Sequence, residues 1–562
     1  MRCNVARVGL VGLFLVLWGC GDASVDKVSD EATETLAQRA GAPLFTGMGN
    51  FHMPITTRDA NAQRYFDQGM VLAFGFNHAE SIRSFRAAQT LDPDCAMCFW
   101  GEALATGPNI NVTNNGKAVM TSEDRAAARA AIDHALTLID GVTQKERSWI
   151  LALDNRYDGQ SETPRDPLDH AWADALAEMV DVYPDDMTVA SVYAEALMNT
   201  MPWDYWGPSG EAKPDTQAVI ESLERVMAAE PEHPLALHLY IHALEASSNA
   251  QKAEVAADTL ANLVPGSGHL VHMPSHIYFR VGRYQDAALA NIRAADIDEA
   301  YIAECNAQGF YPALYYPHNI HFLWASATMQ GQSELSLKSA RRVVENVRIE
   351  QVEQFPTIQF FRTVPMLSLV RFARWEQILT EPEPHEPFAF ARAIWHYGRG
   401  VAYAAMADEA SALNELAAIE RLEPEVDEIF MGNVYPAKSL LAIAKSLLRG
   451  EIAFRAGAMT AAVTSFEEAV ALQDALPYTE PPFWYYPTRQ SLGAALLADG
   501  RAAEAQLVFE ADLEQYPMNG WSLYGLTKAL SAQGQTASAE ATRLRFNTVW
   551  QFSDVTLSTS VL

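Results

Sequence analysis

Residues 65–104 read YFDQGMVLAFGFNHAESIRSFRAAQTLDPDCAMCFWGEAL, and a fold class can be predicted from them alone. They have the pattern of a helix, a tight turn, a second helix and a proline-containing break, after which another helix begins. Apolar and small residues recur at helical spacing, so each helix should have one apolar face. The residues that carry this pattern are Tyr65, Gly69, Leu72, Phe85, Ala88, Pro93, Trp100, Gly101 and Leu104.

The same pattern returns along the rest of the chain. It is carried by Ala253, Ala257, Leu260 and Pro265, by Gly282, Tyr284, Ala287 and Ala294, by Gly331, by Gly457, Ala462, Phe466 and Ala469, and by Gly493, Ala505, Phe509, Pro517, Trp521 and Gly525. A recurrence at about 34 residues resembles the tetratricopeptide repeat, in about eight to ten degenerate units. The resemblance covers most of residues 60–546. It implies an all-α solenoid of stacked antiparallel helix pairs, curved into a superhelix with a concave groove.

Three segments rich in proline and aromatic residues interrupt the repeats. They are residues 201–208 (MPWDYWGP), 310–317 (FYPALYYP) and 481–487 (PPFWYYP). The sequence leaves two roles open for them, because such inserts can line a groove or simply cover exposed helix ends.

The first residues of the chain have the pattern of an export signal. Residues 8–18 form an apolar run of signal-peptide length, preceded by Arg2 and Arg7, and the run is too short for an ordinary membrane span. The sequence Leu-Trp-Gly-Cys at 17–20 resembles a bacterial lipobox, which implies that Cys20 carries the lipid. Gly21 does not resemble an inner-membrane retention signal, so this resemblance favours the outer membrane, facing the periplasm. An ordinary secretory signal with an incidental cysteine is the alternative.

These features divide the chain into six expected segments. They are a lipoprotein signal peptide at 1–19, a flexible tether at 20–42, N-terminal repeats at 43–232, histidine-rich repeats at 233–345, C-terminal repeats at 346–550 and a tail at 551–562.

The net charge argues against one class of partner, and the absence of certain motifs argues against one class of cofactor. With 70 acidic against 40 basic residues the formal net charge is −30, which repels phosphate backbones, so we expect no nucleic acid partner. The chain has no phosphate-binding glycine-rich loop, no GxSxG motif and no HExxH motif, so we expect no nucleotide cofactor.

Histidines cluster in one part of the sequence. Of 14 histidines, eight lie between His233 and His321. His233 is expected to precede or cap its helix. The other seven, together with one glutamate, have helical spacing that places each group on one stripe of a helix. The groups are His238, His242 and Glu245, then His269, His272 and His276, then His318 and His321.

The repeat register predicts where these stripes point. In tetratricopeptide repeats the first helix of each unit lines the concave surface, and all eight residues fall on its groove-facing positions. Seven imidazoles and one carboxylate on three successive helices can bind one or two metal ions, and this donor set suits copper, zinc or iron rather than calcium or magnesium. Two alternatives stay open: a groove that binds a peptide through histidine hydrogen bonds, and a purely structural role. Pro274 predicts a kink or a late helix start, which re-aims His269 and His272.

Cys95 and Cys98 form a second candidate site. Their spacing and the register, which places both on the groove side of a helix, suggest a redox or metal pair. A local disulfide or two small buried side chains are the alternatives. The next residue is Phe99, which excludes covalent haem attachment through a Cys-x-x-Cys-His motif.

The sequence therefore predicts a bacterial, membrane-anchored repeat protein of the cell envelope. Its histidine-rich groove is expected to bind a transition metal and a protein, peptide or small-molecule partner, with membrane contact through the lipid anchor only. Two alternatives remain. One is a metal-dependent enzyme, either a copper or iron oxidase or a zinc hydrolase, with its centre in the same groove. The other is a metal-free peptide-binding scaffold.

Overall fold

The computed structural model describes residues 34–562 with the exception of 115–116, 161, 208–209, 306–309, 355, 386 and 427–434. The predicted signal peptide, Cys20 and most of the predicted tether lie outside the described residues. In the described part of that tether, Leu36–Ala40 form a short helix. Ala40 at the end of this helix and Ala42 after it are buried. No helix of the described residues is long and apolar enough to cross a membrane.

The chain is an all-α solenoid, as the repeats predict. Consecutive helices pack against each other in pairs, and each pair packs against the next. The α-helices are Leu36–Ala40, Ala60–Phe74, His78–Leu91, Ala96–Thr106, Ser122–Thr137, Gln144–Asp154, Arg165–Val182, Met187–Thr200, Pro214–Ala229, Pro234–Glu245, Glu254–Leu260, Gly268–His272, Pro274–Arg280, Tyr284–Cys305, Tyr316–Met329, Ser333–Asn346, Ile349–Gln354, Val364–Arg371, Trp375–Thr380, Ala389–Ala405, Glu409–Leu422, Ala437–Arg455, Met459–Asp474, Arg489–Ala498, Ala502–Gln515, Gly520–Ala532 and Thr536–Trp550.

Short elements connect these helices. Four are 3-10 turns, at Ile139–Gly141, Ala250–Ala253, Pro356–Thr363 and Glu423–Glu425, and a π-helical turn covers Tyr311–Tyr315. Two strands of two residues each, Thr113–Asn114 and Lys117–Ala118, pair antiparallel with Thr113 opposite Ala118.

Contacts between glycine and phenylalanine explain the spacing of the repeats. The Phe85 ring lies so close to two glycines that a Cβ added at Gly69 would be 2.7 Å from Phe85 Cε1, and one at Gly101 would be 2.3 Å from it. Gly69 belongs to the same helix pair as Phe85, whereas Gly101 opens the next pair. Phe509 repeats the arrangement between Gly493 and Gly525. A large ring on the second helix therefore needs a glycine on both neighbouring helices.

Replacing Gly101 by alanine is expected to destabilise the fold. Alanine is the better helix former by about 0.5–1 kcal/mol, but forcing a methyl group against the Phe85 ring costs about 1–3 kcal/mol, so the net change should be unfavourable. Thermal and urea unfolding followed by circular dichroism measure the difference. The control is Gly141→Ala, where an added Cβ meets no atom within 4 Å. A Gly101→Ala protein as stable as this control would contradict the packing argument.

The described helices form two large hydrophobic clusters that meet in the middle of the chain. One contains Leu270, Ile277 and Tyr315 together with most of the N-terminal half. The other contains Ile320 and Phe322 together with most of the C-terminal half. The boundary between the two clusters therefore lies within the predicted histidine-rich segment.

Segments distant in sequence pack against one another. At the N-terminus, Gly266 N donates to Gly47 O at 2.8 Å. At the C-terminus, Trp521 Nε1 donates to Thr328 O at 3.1 Å. The predicted tail also packs on the middle of the chain, where Asp554 accepts hydrogen bonds from the backbone N–H groups of Ser333 at 2.7 Å and Glu334 at 3.0 Å. The solenoid is therefore closed by its own ends around the histidine-rich repeats.

Candidate metal centre

Six histidines converge in the interior as two triads. The first triad is His238, His242 and His269, and the second is His272, His276 and His318. Within each triad, one ring nitrogen of each residue lies within 4.8 Å of the others. The triads are neighbours, because the ring centroids of His242 and His276 are 5.9 Å apart.

One predicted stripe contributes to both triads. The helix Gly268–His272 ends before Met273, and a new helix begins at Pro274 and runs to Arg280, as the proline predicts. Met273 between them has helical dihedral angles, φ −51° and ψ −38°, so the kink itself stays a prediction. His269 belongs to the first triad, while His272 and His276 belong to the second.

His321 belongs to neither triad, which corrects the prediction that it faces the same site as His318. Its ring stacks on Trp324 at a centroid distance of 5.1 Å and lies 5.5 Å from Phe360 and 5.4 Å from Phe361. Burial among these aromatic rings lowers the pKa of His321 to about 3. Residues three apart on a helix point only about 60° apart, so the spacing alone does not separate the two rings. Their contacts do, because the His318 ring lies 4.8 Å from His272 whereas the His321 ring packs among aromatic side chains.

Glu245 connects the two triads, and it also belongs to a group with His276 and Glu480 that could hold a metal ion, so its predicted ligand role stays a prediction. Its Oε1 atom lies 2.7 Å from His242 Nδ1, and its Oε2 atom lies 2.6 Å from His276 Nδ1. Tyr478 donates a further hydrogen bond to Oε2 at 3.2 Å. Since both oxygens are already hydrogen-bonded, Glu245 orients one histidine of each triad.

The remaining hydrogen bonds fix which ring nitrogens face the interior of each triad. His238 Nδ1 lies 2.6 Å from the carbonyl oxygen of Phe74, and His272 Nδ1 lies 2.6 Å from Asn291 Oδ1. Four of the six imidazoles therefore use Nδ1 as a donor to an oxygen acceptor. A donating Nδ1 leaves Nε2 with its lone pair free, which is the form that binds metals.

Several of these free nitrogens have no partner among the residues that the structure describes. Nε2 of His238, Nε2 of His242 and both ring nitrogens of His269 are buried without a hydrogen bond. In the second triad, His272 Nε2 and His276 Nε2 face each other at 2.8 Å. Two lone pairs repel at that distance unless a proton or a metal ion lies between them. Leaving a buried polar atom unpartnered costs about 1–3 kcal/mol, so the donor set fits a bound cation.

Burial also sets the charge of the site. Desolvation lowers the pKa of His242, and lowers the pKa values of His238, His269, His272 and His318 far below the usual histidine value. These imidazoles are therefore neutral at neutral pH, as metal ligands must be.

The two glutamates near the triads, Glu245 and Glu480, differ in charge, because one is ionised and the other is neutral. Burial raises the pKa of Glu245, but the adjacent His276 and the hydrogen bonds from His242 and His276 lower it by more, so Glu245 is ionised. Burial and the neighbouring Glu245 charge raise the pKa of Glu480 well above its usual value. Glu480 is therefore a neutral acid beside an ionised one. Together with His276, the two glutamates could form a further ligand group.

Aromatic side chains enclose both triads. Phe76 lies 4.6 Å from the His238 ring, Trp203 lies 5.2 Å from His242, Tyr315 lies 4.8 Å from His269 and Phe322 lies 4.9 Å from His276. Trp203 and Tyr315 come from the inserts at 201–208 and 310–317, which therefore line the site. The third insert, 481–487, follows Tyr478 and Glu480 in the sequence. Its own aromatic residues contact Tyr397, which belongs to neither triad.

Five of the six triad histidines are buried and His318 is partly exposed, which corrects the expectation of an open concave face. His238 and His272 are 0% exposed, and His276 is 4% exposed. The first repeat covers them through Phe74 and Phe76, and the C-terminal repeats cover them through Tyr478.

The sequence did not identify the groups that hold the rings in place. Phe74, Asn291, Tyr478 and Glu480 each contact or approach a triad residue from a different part of the chain. No spacing rule links them to the histidines, and Phe74 acts through its backbone carbonyl, which has no residue signature.

Cys95 and Cys98 form a disulfide and are fully buried. This is the alternative that their spacing left open, and it removes both sulfur atoms from metal binding, which corrects the metal-pair interpretation. They belong to neither triad, because they pack beside Tyr65 and Ala88. Cys305 is the free cysteine of the described residues, and burial raises the pKa of its thiol to about 11.

No protein-family model matches the chain, and no curated protein matches it. Solved structures of repeat proteins do. The human IFIT1 dimer with m7Gppp-AAAA is 12% identical, with a TM-score of 0.32, covering 88% of this chain and 91% of that one. Yeast Tom70 is 12% identical, with a TM-score of 0.27, covering 85% and 89%. The P58(IPK) TPR domain is 11% identical, with a TM-score of 0.22, covering 85% and 99%. At such identities the similarity concerns the fold alone.

Proposed function

We propose that this protein is a transition-metal-binding helical-repeat protein of the bacterial cell envelope, with one ion bound by each histidine triad. The observation that carries the proposal is the arrangement of the six rings. Nδ1 of His238, His242, His272 and His276 is held by an oxygen atom, and Nε2 of each is turned toward its triad. Preorganised imidazoles with buried ring nitrogens directed at one another are costly for folding and useful for metal binding.

The donor set narrows the choice of metal. Six imidazole nitrogens without a thiolate suit copper, zinc or iron, whereas calcium and magnesium prefer oxygen ligands. Three histidines per ion leave a coordination position free for water or another small ligand.

The N-terminal motif supports the proposed location. A lipid on Cys20 would hold the repeats at the outer membrane, facing the periplasm, where metal ions and exported proteins are both present. The partner expected for such a scaffold is an exported protein or peptide. Because the triads are buried, the partner surface would lie on other parts of the repeats. Burial also counts against the metal-free scaffold that binds a peptide through these histidines.

Metal analysis of the purified protein tests the proposal. Mature protein prepared without chelating resins, and a second sample reloaded after chelator treatment, are analysed by inductively coupled plasma mass spectrometry. We expect two transition-metal ions per chain after reloading, and a thermal unfolding temperature that falls when they are removed, since a ligand that binds only the folded state stabilises it. Reloaded protein without bound metal would reject the proposal.

A second candidate function is a metal-dependent enzyme that uses the free coordination positions. Trp203 supports it, because this side chain is 43% exposed while its ring meets His242 edge-on, so a molecule in solution can approach the first triad here. Trp203 also has φ +62°, a conformation rare for a large side chain and often found at functional sites. Oxygen uptake by copper- or iron-loaded protein, and ester hydrolysis by zinc-loaded protein, would separate an enzyme from a metal carrier.

A further inference from the structure

A small cavity lies in the C-terminal half, away from the histidine triads. Its volume is about 50 Å³, and its walls come from the helices Val364–Arg371 and Ala389–Ala405, from the insert at 481–487 and from the last residues of the chain. A cavity needs about 10–15 Å³ of such space to hold one water molecule, so this one accommodates about three to five non-hydrogen atoms.

Arg371 lines this cavity. Arg371 is 4% exposed and lies between two aromatic rings, 3.6 Å from the Trp521 centroid and 4.8 Å from the Tyr486 centroid. Its one hydrogen bond goes from Nη2 to Gln490 Oε1 at 2.6 Å, and its buried Nε has no partner. Burial lowers the pKa of Arg371 to about 10, so the side chain remains charged at neutral pH.

The aromatic rings compensate only part of the desolvation of this charge. Stacking on tryptophan and tyrosine stabilises a cation, but a buried charge is usually also paired with an ion of opposite sign. No carboxylate of the described residues forms an ion pair with Arg371, and the buried Asp512 carboxylate acts on it only from a longer distance. Glu451, which also lines the cavity, forms its ion pair with Arg455 at 2.7 Å.

Hydroxyl groups supply further donors around the cavity. Tyr397 and Tyr485 hydroxyl oxygens are 3.0 Å apart, and the Tyr486 hydroxyl is 2.8 Å from Ser491 Oγ. Each pair has two hydroxyl hydrogens and uses one of them in its mutual hydrogen bond. Each pair can therefore donate one more hydrogen bond. The cavity thus combines a guanidinium group with two hydroxyl donors.

Apolar side chains also line the cavity and limit what can be bound. They include Val401, Leu447 and Phe466. An ion that fills this space needs a negative head for Arg371 and a short hydrocarbon part for the apolar wall. A tetrahedral oxyanion would bring polar oxygens against that wall, where they find no donor.

We propose that this cavity binds a small aliphatic carboxylate of the size of acetate or propionate. The carboxylate accepts hydrogen bonds from Arg371 and from the tyrosine hydroxyl groups, and the alkyl part packs against the apolar wall. The site is independent of the histidine triads and of the metal proposal.

Isothermal titration calorimetry of the full-length mature protein with sodium acetate and sodium propionate, at constant ionic strength, tests this site. We expect saturable binding of one carboxylate per chain. Arg371→Gln should abolish it, and Tyr485→Phe, which keeps the ring and removes one hydroxyl group, should weaken it about tenfold. Arg543→Gln is the control, because this arginine lies on the surface and pairs with Glu540.

Three results would overturn the proposal. The first is no saturable acetate or propionate binding. The second is binding that Tyr485→Phe leaves unchanged, a measurement that stands even if Arg371→Gln does not fold. The third is equally tight binding of phosphate or chloride, which would show a nonspecific anion site. Circular dichroism spectra establish that the variants are folded before they are titrated.

Discussion

Replacing His238 and His242 together by alanine is expected to reduce the metal content from two ions to one per chain. Both residues lie on the helix Pro234–Glu245 and belong to the first triad, which keeps only His269. A single imidazole does not retain a transition metal against a chelator, whereas the second triad is intact. The mirror variant, His272→Ala with His276→Ala, should lose the other ion, and the fourfold variant should lose both. Mass-spectrometric metal analysis after dialysis against a weak chelator measures all three.

The control for these variants removes two histidines outside the triads. His52 and His170 are in neither triad, and their double alanine variant should keep two ions. Two outcomes contradict the model of separate sites. Loss of both ions from either double variant would mean that the six rings form one shared site, and unchanged metal content in the fourfold variant would place the metal elsewhere.

Changing Glu245 to glutamine is expected to weaken the binding of both ions about 10–100-fold, the usual effect of losing a carboxylate that orients a metal-bound histidine. The carboxylate accepts from His242 Nδ1 and His276 Nδ1 at the same time. A glutamine oxygen can accept only one of these hydrogen bonds, because the amide nitrogen on the other side is a donor. One histidine must then turn away or move its proton to Nε2, where it blocks the metal. Competition titrations with a chromogenic chelator give the two affinities.

Glu480→Gln is the matched control for this experiment. Glu480 is buried beside Glu245, and its raised pKa keeps it neutral, so an amide of the same size changes little. We expect near wild-type affinity for both ions. A loss as large as that of Glu245→Gln would instead make Glu480 a ligand, together with Glu245 and His276. If Glu245→Gln binds both ions as tightly as the wild type, the bridging role is wrong.

The fold, and the histidines that are neighbours on one helix, could be predicted because both depend on local spacing. Gly69 and Phe85 repeat in Gly493 and Phe509, and this recurrence identifies helix pairs without any long-range information. Spacings of three and four likewise place His238 beside His242 and His272 beside His276. Pro274 predicted a new helix start, but the local sequence does not show which triad His269 joins. That depends on packing against helices from other parts of the chain.

The rest of the site depends on contacts between distant parts of the chain. Glu245 meets Tyr478, and His238 meets the carbonyl group of Phe74, and neither contact follows from a repeat register. The register describes a superhelix as if its concave side were open, so it predicted exposed histidines and gave Glu245 and His321 the same role as the others. Contacts from distant segments bury most of these histidines, give Glu245 a bridging position between the triads, and place His321 among Trp324, Phe360 and Phe361.

The contact between Glu245 and Tyr478 also bears on the order in which the centre can be completed. The chain is synthesised from its N-terminus, so His238 and His242 of the first triad are made long before Tyr478. Contacts between residues so far apart in sequence form late, because they close a long loop. A partly made chain can thus capture metal loosely at His238 and His242, while the finished arrangement of both triads has to wait for the C-terminal repeats. Tight loading therefore reports that the whole chain has folded.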